Sequence, residues 1–264
     1  MTLLDKIITD KRRETALKQS LIPVQQLESS VLFDRKTASL SQNLRDSKTG
    51  IIAEHKRRSP SKDTINTSFS VEEVVTGYQK AGVCGISVLT DSKYFGGSTD
   101  DLLLARASVA TPLLRKEFII NEYQILEAKA LGSDCILLIA AVLSREEIRQ
   151  FSNFARNLGL ETLLEVHNRE ELEKSLLPGI AMIGVNNRNL KTFEVNLDNS
   201  KTLSSHIPDE FIKVSESGIS TPEAMHELKK YGYNGFLIGE NFMKTSNPGQ
   251  NAAAFIAQIE ALQH

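Results

Sequence analysis

Short apolar runs in this chain repeatedly end in residues that can move protons or grip anions. Reading forward, these are Glu54 and Lys56, then Lys116, Glu165, Asn186 with Arg188, and Glu216 with Ser217; a last run ends in Gly239, before Glu240. Surface charges scatter, whereas these hold one place in a repeating unit. An ammonium in an apolar neighbourhood donates a proton or polarises a carbonyl. A carboxylate near it can take a proton or stabilise a cation. An amide orients a hydroxyl, a guanidinium grips a carboxylate or phosphate through two hydrogen bonds, and glycines such as Gly218 and Gly239 let backbone N–H groups approach an anion closely.

Spacing suggests which of these act together. Glu54 and Lys56 stand two apart at a strand end, so their side chains point the same way. They read either as a structural ion pair or as an acid–base pair whose members shift each other's pKa. Leu163, Glu165 and His167 share a face, as do Asn186 and Arg188. Lys116 either sends its amine to solvent or acts as an acid. His167 reads as a residue of the loop or of the layer behind the site. Arg57, Arg58 and Lys62 read as solvated loop charges, one of them free to attract an anion. The Ser59-Pro60-Ser61 turn suits a loop that covers substrate. Asn187 and Asn189 are as well explained as turn residues. His55, His206, His226 and His264 show no metal-ligand spacing with His167, so no metal is expected.

The elements that must position these residues are eight apolar runs: 50–54, 85–90, 112–116, 134–140, 161–166, 181–186, 211–215 and 235–239. Apolarity on both faces is the mark of parallel strands covered by helices. Between them VEEVVTGYQKAG, NEYQILEAKALG and TPEAMHELKKYG place apolar residues three and four apart and close on glycine. Ser144 with Glu147 forms a capping box, and Thr221-Pro222 opens another helix. Strand and helix alternate eight times, which predicts an α/β fold, a (β/α)8 TIM barrel. In such a barrel the strand-end residues gather on one rim, and the loops after the last two strands often hold a phosphate. Glu240 suits a phosphate poorly by charge; its backbone N–H is expected to serve while the carboxylate turns away.

The first 48 residues differ. LLDKIITDKRRETALK reads as an amphipathic helix, a second follows Pro23 and a third spans 39–45. This N-terminal helical extension is expected to cover a barrel end, so residues 1–264 read as one barrel domain, with 1–48 the extension and 49–264 the barrel. The length of 264 residues and the 41% hydrophobic content suit that. A net charge of −2 leaves no nucleic-acid footprint, and no apolar stretch approaches the ~20 residues of a membrane span. Cys84 and Cys135 lack metal or redox spacing and read as buried thiols in a reducing cytoplasm. The N-terminus carries charges too early for a secretory signal. The chain stops one helix after the eighth strand, so no fused second catalytic domain is expected. No oligomerisation signal stands out, which favours a monomer.

EHKRRSPSK, SVLTDSKYFGGS, LLRKEFIINEYQI, LLEVHNREEL, IGVNNRNLKTFEV, SESGI and LIGENFM together resemble the indole-3-glycerol-phosphate synthase family, in order and at the expected spacing from about residue 50 to 243. Each motif alone is weak; the ordered set is specific. The resemblance implies a cofactor-free ring closure of 1-(2-carboxyphenylamino)-1-deoxyribulose 5-phosphate, with loss of CO2 and water. It implies Lys116 as general acid, Glu165 as general base or cation stabiliser, and Glu54 with Lys56 in the dehydration, Lys56 also near the phosphate. Asn186 would orient the sugar and the substrate carboxylate, supported by Arg188, Glu216 and Ser59. Ser217, Gly218, Gly239 and Glu240 would cradle the phosphate, and Phe95, Phe118 and Leu137 would form the slot for the aromatic ring. Two positions depart from the family. Asp63 stands where glycine is usual, and aspartate tolerates left-handed backbone, so a shifted loop is expected. His55 replaces an aliphatic residue and, pointing outward, needs a hydrogen-bond partner. A phosphoribosylanthranilate isomerase would want a Cys/Asp pair at strand ends, which neither cysteine provides. A sugar-phosphate sensor would keep the phosphate loops without the Lys116, Glu165, Glu54 and Lys56 set.

Overall fold

A computed structural model describes residues 2–190 and 192–262. The chain opens with helices α1 (Leu3–Leu21), α2 (Val24–Glu28) and α3 (Leu40–Asp46). There follow β1 (Ile51–His55), α4 (Val71–Ala81), β2 (Gly85–Leu89), α5 (Ser92–Phe95), α6 (Thr99–Ser108), β3 (Leu113–Lys116), α7 (Glu122–Ala130), β4 (Cys135–Ile139), α8 (Arg145–Asn157), β5 (Glu161–Val166) and α9 (Arg169–Ser175). The series ends with β6 (Met182–Asn186), α10 (Asp198–Ser204), β7 (Ile212–Glu216), α11 (Pro222–Lys229), β8 (Tyr233–Ile238), α12 (Glu240–Met243) and α13 (Pro248–Ala261). Each of the eight expected runs holds a strand, and the strands close into one parallel barrel because β1 pairs with both β2 and β8.

Strand alternation divides the core in two. Ile52, Leu114, Leu137, Leu163, Met182, Val214 and Leu237 fill the barrel interior. Their chain neighbours Ile51, Ala53, Leu113, Ile136, Leu164, Ile183 and Phe236 pack outward under the helices. Both sets are removed from water, which is why the runs read as continuously apolar. The caps follow the sequence: Ser144 and Glu147 form their reciprocal box, Thr221 caps α11 with Pro222 at its first turn, and Gly82 ends α4 in left-handed geometry.

The extension covers both barrel ends, not one. At the N-terminal end, Leu40 and Leu44 of α3 plug the interior. Glu161, at the start of β5, fastens this helix by accepting from Ser39 Oγ at 2.6 Å and from Ser41 N at 2.8 Å. At the other end, Leu3, Leu4 and Ile7 of α1 face the cavity at the strand tips.

Cys84 and Cys135 are free, buried thiols at the N-terminal ends of β2 and β4, away from that cavity. His264 lies outside the described residues. Among the described residues no helix is long and apolar enough to cross a membrane.

Candidate active site

Strand geometry explains why the polar tips meet. Residues two apart on a barrel strand both point inward, so above the apolar layer of Ile52, Leu114, Leu163 and Val214 comes a polar one. It holds Glu54 and Lys56 from β1 and the residue after it, Lys116 from β3, Glu165 from β5, Asn186 from β6 and Glu216 from β7. The structure brings all of these together with Ser59, Phe95, Phe118, Leu137, Arg188, Ser217, Gly218, Gly239 and Glu240 around one cavity of about 350 Å³.

Lys116 is the centre. Its Nζ lies 3.1 Å from Oε2 of Glu165 and 2.5 Å from Oε2 of Glu216. Lys56 Nζ pairs with Glu54 Oε1 at 2.6 Å, and Ser87 Oγ lies 3.5 Å from Glu54 Oε2. Burial works against the Lys116 charge, but Glu216, Glu165 and Glu54 outweigh it and raise its pKa, so the amine is an ammonium at neutral pH. Burial likewise opposes ionisation of Glu165, yet Lys116 and His167 hold its pKa down to about 2. For Glu216 burial prevails; Lys116 pulls the other way, Glu165 and Glu54 add to the rise, and its pKa is pushed up to about 7. The site therefore offers a fixed cation, a fixed anion and a carboxyl that changes state near neutrality.

One flank of the cavity is apolar. The rings of Phe95 and Phe118 stand 6.0 Å apart, tilted by 42°, and Leu137 closes the slot from below. Leu3, Leu4 and Ile7 of α1 add to the cavity wall. The sequence showed these three only as part of an amphipathic helix.

The opposite flank carries Ser217, Gly218, Gly239 and Glu240. Ser217 and Gly218 both take left-handed backbone, at φ 68° and 80°. Asn187 holds them there. It is a buried hub and not a turn residue, donating to Ser215 Oγ at 2.9 Å, Glu216 O at 3.0 Å and Ser217 O at 3.1 Å, while its own oxygen accepts from Ser200. Gly239 has a further reason to be glycine: a Cβ there would stand 2.4 Å from Glu54 Oε1. Glu240 turns its carboxylate to Lys62, at 3.1 Å, which leaves its backbone N–H for a ligand. Lys244, which no motif in the sequence marks, also lines this side.

The first loop departs from its expected solvated state. Arg57 grips Asp101 with both nitrogens, at 2.5 and 2.7 Å, and reaches Gly96 O. Arg58 donates to Ser92 O and Lys93 O. These arginines tie the loop after β1 to the loop after β2, because each finds carbonyls or a carboxylate within reach. Asp63 does not adopt left-handed backbone; among non-glycine described residues only Phe193 and Ser217 do. His55 faces outward as expected, but its Nε2 is buried without a hydrogen-bond partner. Burial first, then Arg57, holds its pKa down to about 4 and keeps the ring neutral. His167 follows β5 and reaches Glu165, with Nε2 3.4 Å from Oε1. Among the described residues no group of three His, Cys, Asp or Glu side chains is arranged to hold a metal ion.

An ammonium flanked by carboxylates, between an aromatic-sized slot and an anion cradle, can protonate a carbonyl while a ring attacks it. Comparison with known proteins points the same way. Two solved structures that share the fold are distant in sequence: KGPDC from Streptococcus mutans has a TM-score of 0.62 at 12% identity, covering 81% of this chain and 98% of that one. Thiamine phosphate pyrophosphorylase from Pyrococcus furiosus has a TM-score of 0.62 at 15% identity, covering 86% and 100%. They bear on the fold alone. Indole-3-glycerol phosphate synthases are nearer: that of Bacteroides thetaiotaomicron is 45% identical over 98% of this chain and 99% of its own. That of Acinetobacter baumannii (strain ATCC 17978) is 38% identical over 99% and 98%. The family model of indole-3-glycerol phosphate synthase matches residues 4–255, and the chain belongs to that family.

Proposed function

We propose that this chain closes the indole ring of 1-(2-carboxyphenylamino)-1-deoxyribulose 5-phosphate to give indole-3-glycerol phosphate, CO2 and water, a carboxy-lyase step of tryptophan biosynthesis. The observation that carries the reading is Lys116, an ammonium seated on Glu165 and Glu216 at the mouth of the slot lined by Phe95, Phe118 and Leu137.

In this reading the phosphate rests on the backbone of Ser217, Gly218, Gly239 and Glu240, with Lys56 nearby. Asn186, Arg188 and Ser59 hold the sugar and the ring carboxylate. The ring carbon bearing the carboxylate attacks the ketone carbon as Lys116 gives a proton to the ketone oxygen. Attack breaks aromaticity and leaves an iminium-like cation, which the ionised Glu165 stabilises in a water-poor pocket. Loss of CO2 returns the C–C bond electrons to the ring and needs no base. Lys56 and Glu54 then handle the protons of dehydration. In this reading the working unit is a monomer, with residues 1–48 serving the barrel. The buried free thiols Cys84 and Cys135 suit a reducing cytoplasm.

The test is conversion of this substrate to a fluorescent indole product by the purified protein without added metal. Lys116→Ala is expected to lose turnover by about 10²–10⁴ or more while still binding a phosphate-bearing substrate analogue. Normal turnover in that variant would remove the assigned acid.

A further inference from the structure

The two carboxylates on Lys116 have unlike surroundings. Each places Oε2 on the ammonium; the difference lies in Oε1. In Glu165 it faces Nε2 of His167 at 3.4 Å. In Glu216 it is buried with no hydrogen-bond partner. One ammonium cannot serve two adjacent carboxylates fully, and Lys56 is taken by Glu54. Two like charges so close leave a proton on one of them.

The imidazole of His167 is held in place from behind. Its Nδ1 lies 3.1 Å from Oε2 of Glu171, and the same oxygen accepts the His167 backbone N–H at 2.8 Å. Asn199 donates to the His167 carbonyl at 3.1 Å. With Nδ1 engaged by Glu171, the second ring proton of an imidazolium sits on Nε2, a buried atom without a hydrogen-bond partner in the resting geometry and aimed at Glu165. Three carboxylates bear on the ring: Glu165 from β5, Glu171 from α9 and, farther off, Glu216 from β7. Glu165 also meets Lys116 of β3 and the Asn186 amide of β6; Glu216 meets Lys116, Glu165 and Glu54 of β1.

We propose that His167 is a positioning residue that decides which carboxylate carries the proton: its charge keeps Glu165 ionised, so that Glu216 is the protonated member of the pair in the resting enzyme. The proposal deepens the reading of the site given above and rests on it for its catalytic meaning. It separates the two glutamates by task, Glu165 as the counter-ion of the cationic intermediate and Glu216 as the neutral partner of Lys116. The direction of the His167 shift agrees: burial alone would lower its pKa, but the Glu171 bond and the charges of Glu165, Glu171 and Glu216 raise it.

The test uses substrate-free protein, so its outcome is independent of turnover. The infrared band of a protonated buried carboxyl is followed against pH and assigned to the pair by its loss in Glu216→Gln. In the wild type the band is expected to vanish with a midpoint near 7. In His167→Asn the pair loses a cation and binds its proton about tenfold more tightly, moving the midpoint up by about one pH unit; Glu171→Gln, a milder change away from the cavity, moves it the same way. Neutron diffraction on the deuterated wild type is expected to place a deuteron on Glu216 and two on the His167 ring. An unmoved midpoint in both variants, a deuteron on Glu165, or a neutral His167 would overturn the proposal. Absence of turnover by the wild type on the proposed substrate would instead strike the functional reading and leave the titration standing.

Discussion

A Cβ on Gly184 would stand 2.2 Å from Oε1 of Glu216. The two residues belong to neighbouring strands, and Gly184 pairs with Glu165 on its other side. The missing side chain in β6 thus opens the space in which the Glu216 carboxylate leans towards Lys116. Gly184→Ala is expected to cost about 1–3 kcal/mol of stability through overpacking and to cut turnover by displacing Glu216. Adding Glu216→Ala should recover stability but not activity, a non-additive pair. Unchanged turnover in the single variant would mean that the carboxylate has another resting place.

Lys11 fastens α1 over the cavity. It is 2% exposed, and its Nζ lies 3.1 Å from both Asp91 and Glu117 and 2.8 Å from Glu14. Glu117 in turn accepts the Phe118 backbone N–H at 2.8 Å, so the helix is tied to the segment that carries Lys116. Lys11→Met takes the cation from buried Asp91 and leaves Glu117 with the Arg115 cation alone, at 3.9 Å, and is expected to cost about 3–5 kcal/mol in chemical unfolding. Because α1 brings Leu3, Leu4 and Ile7 to the cavity, KM should rise more than kcat falls. A drop in kcat at constant KM would argue against this role for the helix.

How far the sequence was readable follows from the range of each interaction. The strands were legible because burial on both faces writes a continuous apolar run. The rim was legible because Glu54 with Lys56, and Asn186 with Arg188, share a face by alternation within one segment. What stayed hidden depends on partners distant in the chain. Arg57 looks like a loop charge until folding brings Asp101 to it. Asn187 looks like a turn residue because Ser200, Ser215 and Ser217, which it joins, lie on later elements. Leu3 and Ile7 show amphipathicity but not what the apolar face covers, and Gly184 shows no motif at all, since its reason is a carboxylate on the next strand.

Asn187 offers a test of how the anion cradle is built. Non-glycine residues such as Ser217 incur a conformational cost at positive φ, and the three bonds from Asn187 Nδ2 hold this one there. Asn187→Ala leaves buried partners unpaired, a loss of about 1–3 kcal/mol. It is also expected to weaken binding of inorganic phosphate, measured by calorimetry, more than binding of a phosphate-free anthranilate analogue. Equal weakening of both would indicate general loosening of the barrel.

Glu216 gives the stability of the protein a pH dependence opposite to that of an ordinary paired carboxylate. Its folded pKa, about 7, lies above the 4.5 of an unburied glutamate. Below 4.5 both folded and unfolded chains hold the proton, and the group contributes nothing to the pH slope. Between 4.5 and about 7 the unfolded chain gives it up while the folded chain keeps it, so the folded state binds more protons and stability falls as pH rises. Above that window the loss levels off at about 3 kcal/mol, from 1.36 kcal/mol for each pKa unit. Glutamine cannot titrate, so the difference in unfolding free energy between Glu216→Gln and the wild type should grow in the variant's favour across this interval. Urea unfolding at a series of pH values measures it, and parallel curves for the two proteins would show that Glu216 is already ionised in the folded state throughout.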